Sequence, residues 1–191
     1  MKKIILFVSF LLLIVPFSAI AMDASPYVVA EWGLNDTFQD GTTPVTITDT
    51  SLTFVNPTAS TQVLEYAFFD DDGGFCGCDR DFPGPNAITR YTMSAESAGG
   101  MFICTGKAGK PALKTHGAVN SIVFQRGTNG GVAVGTAMTL GFQTHFFSGG
   151  RTESNMIAVP VSDNIMTEVK AVHQACVNFC NANPTVCPPL P

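Results

Sequence analysis

The sequence predicts a mainly β protein: an antiparallel β-sandwich, immunoglobulin-like or jelly-roll-like, with one C-terminal α-helix packed on it and stapled by disulfides. Three observations predict it. Apolar residues recur with period two in several short runs separated by Gly, Asn, Asp and Pro clusters. A single stretch near the C-terminus carries helical periodicity instead. Six cysteines follow an N-terminal leader that reads as an export signal, and thiols oxidise in exported chains.

The leader is MKKIILFVSFLLLIVPFSAIA. Lys2 and Lys3 form a basic start, Ile4 to Val15 is almost unbroken apolar sequence, and Ala19-Ile20-Ala21 is a small-x-small cleavage site. The run is short for a membrane span, and no later segment reaches spanning length. Met22, not cysteine, would follow the cut, which argues against a lipid anchor. The expectation is a signal peptide over 1–21, cleavage after Ala21, a periplasmic or secreted protein with no membrane span, and a bacterial source.

The 170 residues that remain suit one domain, assigned to 22–183, with a Pro-rich tail over 184–191. Without the leader, eight Lys and Arg face fifteen Asp and Glu, so the net charge falls from −5 to −7. An acidic chain argues against nucleic acid as a partner, because phosphate contacts need clustered Lys and Arg. The charges are segregated. Met22 to Asp79 holds ten acidic residues and no basic one, while Ser97 to Thr152 holds five basic residues and no acidic one. Either the two halves pack with opposite charges adjacent, or molecules associate acidic surface to basic surface. The first is favoured, since strands of both halves interleave in a sandwich.

The strands follow in order. Val45 and Ile47 alternate with Thr46 and Thr48, and then Leu52 and Phe54 take the other parity. A turn or bulge at Asp49-Thr50-Ser51 would reconcile them. Asn56-Pro57 ends the run. Gln62 to Phe69 places Leu64, Tyr66 and Phe68 on one face. Val119 to Arg126 places Ile122 and Phe124 together. Val132 to Phe146 keeps Val132, Val134, Met138, Leu140, Phe142 and Phe146 on even positions, which predicts one long half-buried strand bent at Gly135. Ile157, Val159 and Val161 make another. The helix is predicted over about 163–181: Ile165, Val169, Val172, Cys176 and Phe179 share a stripe, Ser162 is the cap, and Pro184 lies beyond the end. The helix carries Cys176 and Cys180, and Cys187 would hold the tail.

Candidate chemistry centres on FFDDDGGFCGC. The aspartates and glycines of 70–74 suit a hairpin turn. They also suggest a calcium site through Asp70, Asp72, Asp79 and Asp81. An EF-hand register fails, because it puts Phe68 at the first ligand position and a strand where a helix belongs. Cys76 and Cys78 are expected to lie on opposite faces and to pair with different partners rather than act as a redox dithiol, which is usually C-x-x-C at a helix N-terminus. Cys76, Cys78, Cys104, Cys176, Cys180 and Cys187 allow three disulfides in 15 connectivities, and sequence leaves the pairing open.

Among the remaining features, His116, His145 and His173 are read as separate surface residues, with His145 on the polar parity of its strand beside Gln143. Gly106-Lys107-Ala108-Gly109-Lys110 lacks the glycine and the hydroxyl residue of a phosphate loop; Lys107, Lys110, Lys114 and His116 are read as a solvated loop able to meet an anionic surface. Trp32, the one tryptophan, is expected in an edge strand or the core, with ligand stacking as the sharper alternative. No G-x-S-x-G elbow accompanies the histidines.

The leader, the length and these period-two runs resemble, at the level of class, exported bacterial sandwich domains such as pilus subunits and adhesins. The chain departs from chaperone-assembled pilins by ending in a helix and a Pro-rich tail. The expectation is an exported, non-enzymatic protein that binds a protein or cell-surface partner, or self-associates, through exposed sheet edges, without a cofactor. The alternative is a metal-binding protein or hydrolase built on the loop 70–81.

Overall fold

The computed structural model describes residues 25–96, 102–105, 111–126, 132–133, 139–160 and 162–190. The leader, the 106–110 loop, residues 134–138 and Val161 lie outside the described residues. In chain order the elements are β1 (Tyr27–Gly33), β2 (Asp36–Asp40), β3 (Thr43–Val55), β4 (Val63–Asp70), β5 (Phe75–Asp81) and β6 (Ile88–Thr92). They continue with the short helix α1 (Met93–Glu96), β7 (Phe102–Thr105), β8 (Pro111–Lys114), β9 (His116–Arg126) and β10 (Val132–Ala133). The last are β11 (Leu140–Phe147), β12 (Gly150–Asn155), β13 (Ile157–Ala158) and α2 (Asp163–Ala182).

Two antiparallel sheets face each other and the long helix covers the back of one, giving three layers. The first sheet runs β13-β1-β9-β4-β5, with β10 added to β9. The second runs β12-β11-β3-β2, with β6 also on β3, and β7 pairs with β8 in a separate hairpin. Between the sheets lie Val28, Ala30, Trp32, Leu64, Tyr66, Phe68, Val119 and Val123 from the first sheet, against Leu52, Phe54, Tyr91 and Met93. Between the first sheet and α2 lie Tyr27, Val63, Ala67, Ile122 and Phe124 against Val169, Val172, Cys176 and Cys180. The first sheet is thus buried on both faces, so β4 reads as a nearly continuous apolar run. Full burial of each large side chain contributes on the order of 1.5–3 kcal/mol.

The expected helix forms with its expected signals. Ser162 accepts from the Ile165 N–H, and the Asn183 N–H closes the other end onto the Cys180 and Phe179 carbonyls. Ile165 and Phe179 flank the buried stripe. The cysteines pair as Cys76–Cys104, Cys78–Cys176 and Cys180–Cys187. Cys76 and Cys78 take separate partners on opposite faces, and the reason is a bulge: Phe68 pairs with Gly77 but Phe69 with Phe75, so Cys76 is the extra residue, whereas residues two apart in a regular strand share a face. All six cysteines are engaged in disulfides, so Cys76 and Cys78 form no redox dithiol here. Cys78–Cys176 staples α2 to β5, and Cys180–Cys187 ties down the tail.

Of the two alternatives for the parity change near Asp49, the bulge is the one that forms, within one continuous strand: Phe146 pairs with Asp49 but Phe147 with Ile47, which leaves Thr48 as the extra residue. Two strand expectations are corrected. The stretch Val132 to Phe146 is not one strand. Its start pairs with β9 in the first sheet, and Leu140–Phe147 pairs with β3 in the second. Ile157–Ala158 is only a two-residue pairing with β1, and Ile157 is exposed.

The parity of β11 is also inverted. Gly141, Gln143 and His145 lie opposite Phe54, Leu52 and Thr50, so they face the other sheet, while Phe142 and Phe146 face outward. The reason is the short β13, which pairs only with Val28 and Val29. Beyond it, the edge of β1 needs partners for its backbone groups. Gln143 Oε1 accepts from the Glu31 N–H at 2.8 Å, while Thr50 Oγ1 accepts from the Gly33 N–H and donates to the Gly33 carbonyl, both at 2.9 Å. Polar side chains of the second sheet replace the missing strand.

Candidate functional site

The same corner opens into a cleft of about 710 Å³ at one end of the sandwich. Its described walls carry Trp32, Phe38, Ile47 and Phe147 as apolar surface. Glu31, Asp36, Asp70 and Asp71 supply carboxylates, and His116 and His145 the imidazoles. The fold brings these together because β1, β4 and β11 end here while β3 and β9 begin here. Gly117 sits where β9 passes the end of β4: a Cβ there would stand 1.9 Å from the Phe69 carbonyl oxygen. Only glycine permits this approach.

The carboxylates are held, not loose. Asp70 is buried, and its Oδ1 accepts from the Asp72 and Gly74 N–H groups, which shapes the expected turn. Lys114 Nζ lies 3.7 Å from Asp70, 2.7 Å from Asp71 and 3.4 Å from Asp72. Its hydrogen bond holds the Asp71 carboxyl below its ordinary range, and the same contact raises the Lys114 ammonium. His116 lies between Asp36 (3.1 Å) and Asp71 (3.5 Å), and Thr115 Oγ1 also donates to Asp36. Part of the charge segregation in the sequence is therefore met within the molecule, basic Lys114 against the acidic turn.

His145 completes the corner. Thr50 Oγ1 donates to Gly33, so it accepts from His145 Nδ1 at 2.9 Å. Gln143 Oε1 is taken by Glu31, so its amide nitrogen faces His145 Nε2 at 3.2 Å and donates to it. This assignment makes His145 a neutral imidazole, and burial lowers its pKa. The reading of three separate surface histidines is corrected for two of them: His145 is half-buried in the cleft, which the exposed His116 also lines, and His173 reaches down onto the first sheet.

His173 belongs to a buried ionic group under α2. Its Nδ1 lies 2.6 Å from Glu65 Oε2, while Glu65 Oε1 accepts from Arg80 Nε at 3.0 Å and Nη2 at 2.7 Å. Glu65 and Arg80 are neighbours in the β4–β5 register. Arg80 Nη1 donates to the Pro188 carbonyl, which ties the tail to the group. Neither Glu65 nor Arg80 stood out in the sequence. The available signal was a charged residue on each of two strands flanked by core residues.

The four carboxylates considered for calcium do not meet. Asp70 and Asp72 sit at the hairpin turn, with Lys114 Nζ 3.7 and 3.4 Å away. Asp79 Oδ1 accepts from the Arg80 N–H. Asp81 pairs with Leu64 at the other end of the hairpin, roughly 20 Å from Asp70. There it accepts from Thr89 and from the Tyr66 hydroxyl, whose pKa burial raises strongly. Among the described residues no three His, Cys, Asp or Glu side chains are grouped to hold a metal ion. Of the basic loop, Lys107 and Lys110 lie outside the described residues. Trp32 is core, its Nε1 donating to the Phe69 carbonyl, and part of it floors the cleft.

No family model and no curated protein matches the chain. A crystal structure of Thermotoga maritima 1070 is similar to part of it, at 10% identity, covering 74% of this chain and 100% of that one, with a TM-score of 0.43. Among the described residues no helix is long and apolar enough to cross a membrane.

Proposed function

We propose that the protein is an exported, non-catalytic binding module whose end cleft takes a cationic group of a partner polypeptide, a lysine or arginine side chain. One observation carries this reading: Glu31, Asp36, Asp70 and Asp71 line a cleft whose other surface is Trp32, Phe38, Ile47 and Phe147. Such a combination suits an alkyl chain ending in positive charge, because the stem covers apolar surface while the head meets carboxylates. Lys114 already shows the carboxylates of the turn receiving an ammonium. The leader and the three disulfides support export. The imidazoles support binding rather than turnover: each is engaged by neighbours, and the described lining holds neither serine nor cysteine as a nucleophile.

Trp32 is the only tryptophan in the sequence, so its fluorescence reports on the cleft. Titration at low salt with a short lysine- and arginine-containing peptide should give a saturable change. Salt should weaken it, and Asp36→Asn with Asp71→Asn should reduce it. An acidic peptide serves as control. Equal response to both peptides, or no saturable response to the basic one, refutes the reading.

A further inference from the structure

We infer that the protein forms a weak two-fold homodimer by pairing β12 with β12 of a second copy. This goes beyond the cleft reading and stands independently of it. Strand β12 ends the second sheet, and among the described residues it pairs with β11 alone. All six of its residues are exposed. A strand of this kind presents a row of open N–H and C=O groups, and the usual protections are lysine, proline, a bulge or a cover. The sequence of β12, Gly150-Arg-Thr-Glu-Ser-Asn155, has neither lysine nor proline, and its register with β11 is regular.

What β12 does have is self-complementary charge. Arg151 and Glu153 point to the same face, opposite Phe146 and Thr144 of β11, with Arg151 Nε 3.3 Å from Glu153 Oε1. In an antiparallel pairing centred on Thr152, Arg151 of each copy lies opposite Glu153 of the other. Two opposite-charge cross-strand pairs then flank the axis, with Thr152 facing Thr152. Registers centred on Arg151 or Glu153 would place like charges opposite, so charge selects one register.

On the other edge strands of this sheet no register brings opposite charges together, and pairing about the central residue opposes like ones. Self-pairing of β2 about Phe38 brings Asp36 opposite Asp40, and self-pairing of β6 about Arg90 sets Arg90 against itself. Like charges directly opposite are unfavourable. Strand β12 is thus the edge of the second sheet on which a second copy fits, giving one continuous sheet across two molecules.

Sedimentation equilibrium up to about 1 mM protein at low salt tests this. The wild type should show a monomer–dimer equilibrium. Arg151→Glu or Glu153→Arg should each raise the dissociation constant roughly tenfold, and the double reversal should restore it. Both positions are exposed, so an unchanged far-UV spectrum and melting curve will show that folding is intact. In addition, Thr152→Cys should cross-link on mild oxidation, because directly opposed Cα atoms lie within disulfide reach, whereas Ser154→Cys, opposed to Gly150, should not. A monomer throughout the range, a dimer indifferent to the single reversals, or a double reversal no better than the singles overturns the inference.

Discussion

Removing Glu65 should unfold this protein more readily than removing any exposed ion pair. The Glu65 side chain has no exposure at all, and that of Arg80 is 4% exposed. In Glu65→Ala, the guanidinium of Arg80 loses both hydrogen bonds to Oε1, and His173 loses its partner on Oε2. A guanidinium so enclosed cannot recover water without opening the layer between α2 and the first sheet. Breaking a buried pair from one side costs about 3–5 kcal/mol, whereas an exposed pair such as Arg151–Glu153 contributes about 0–1 kcal/mol. For a domain of this size each kcal/mol moves the melting temperature by roughly 2–4 °C, so the drop should be roughly 6–20 °C. Thermal and guanidinium unfolding with the disulfides intact, followed by far-UV circular dichroism, reads this directly. The decisive companion is Glu65→Leu with Arg80→Met. It removes both charges and keeps apolar volume, and should lie near the wild type or above it. A loss below about 1 kcal/mol in Glu65→Ala, or a double variant worse than the single, would refute the account of the group as a buried, mutually compensated charge set.

Three further outcomes follow from the geometry. Replacing each cystine by two serines should rank by the loop it closes, because the cross-link restricts the unfolded chain. Separations of 98, 28 and 7 residues correspond to about 4.7, 3.6 and 2.4 kcal/mol at 25 °C. Cys78–Cys176 should therefore matter most and Cys180–Cys187 least in guanidinium unfolding. Folding lowers the pKa of His145 from 6.5, so the unfolded chain binds its proton first as pH falls. The stability carried by the neutral ring is present above pH 6.5 and is lost below it, and His145→Gln should flatten the pH dependence of stability on the acid side of 6.5. Gly117→Ala should cost about 1–3 kcal/mol or more, since the new methyl meets backbone, whereas Gly141→Ala meets mainly the flexible Met156 side chain and should cost less by the same unfolding measurement.

Sequence periodicity found one face of each strand and the apolar stripe of the helix. Leu64, Tyr66 and Phe68 share the face that fills the space between the sheets, while Val63 and Ala67 on the other face lie under α2. The stripe from Ile165 to Phe179 repeats because one face of α2 lies on the sheet. It misled at Leu140–Phe147, where Phe142 and Phe146 face outward. There the inner positions are polar because they complete the edge of β1, a need that arises only once β13 stops after two pairs. The histidines were illegible for the same reason: His116 and His145 are 29 residues apart in sequence, on strands of different sheets, and line one cleft only because the two sheets pack together.

The sequence by itself determined the fold class and the site of the helix and its cap. Each follows from local rules: alternation in strands, stripe and capping in helices. Cys76 and Cys78, in contrast, part to opposite faces only through the bulge that pairing with β4 creates. The pairing of six cysteines, the end cleft, the Glu65–Arg80–His173 group and the open edge of β12 were decided by tertiary structure. Each depends on which strands become neighbours and in what register. Many weak contacts summed over the whole core set that choice, and no short stretch of chain encodes it.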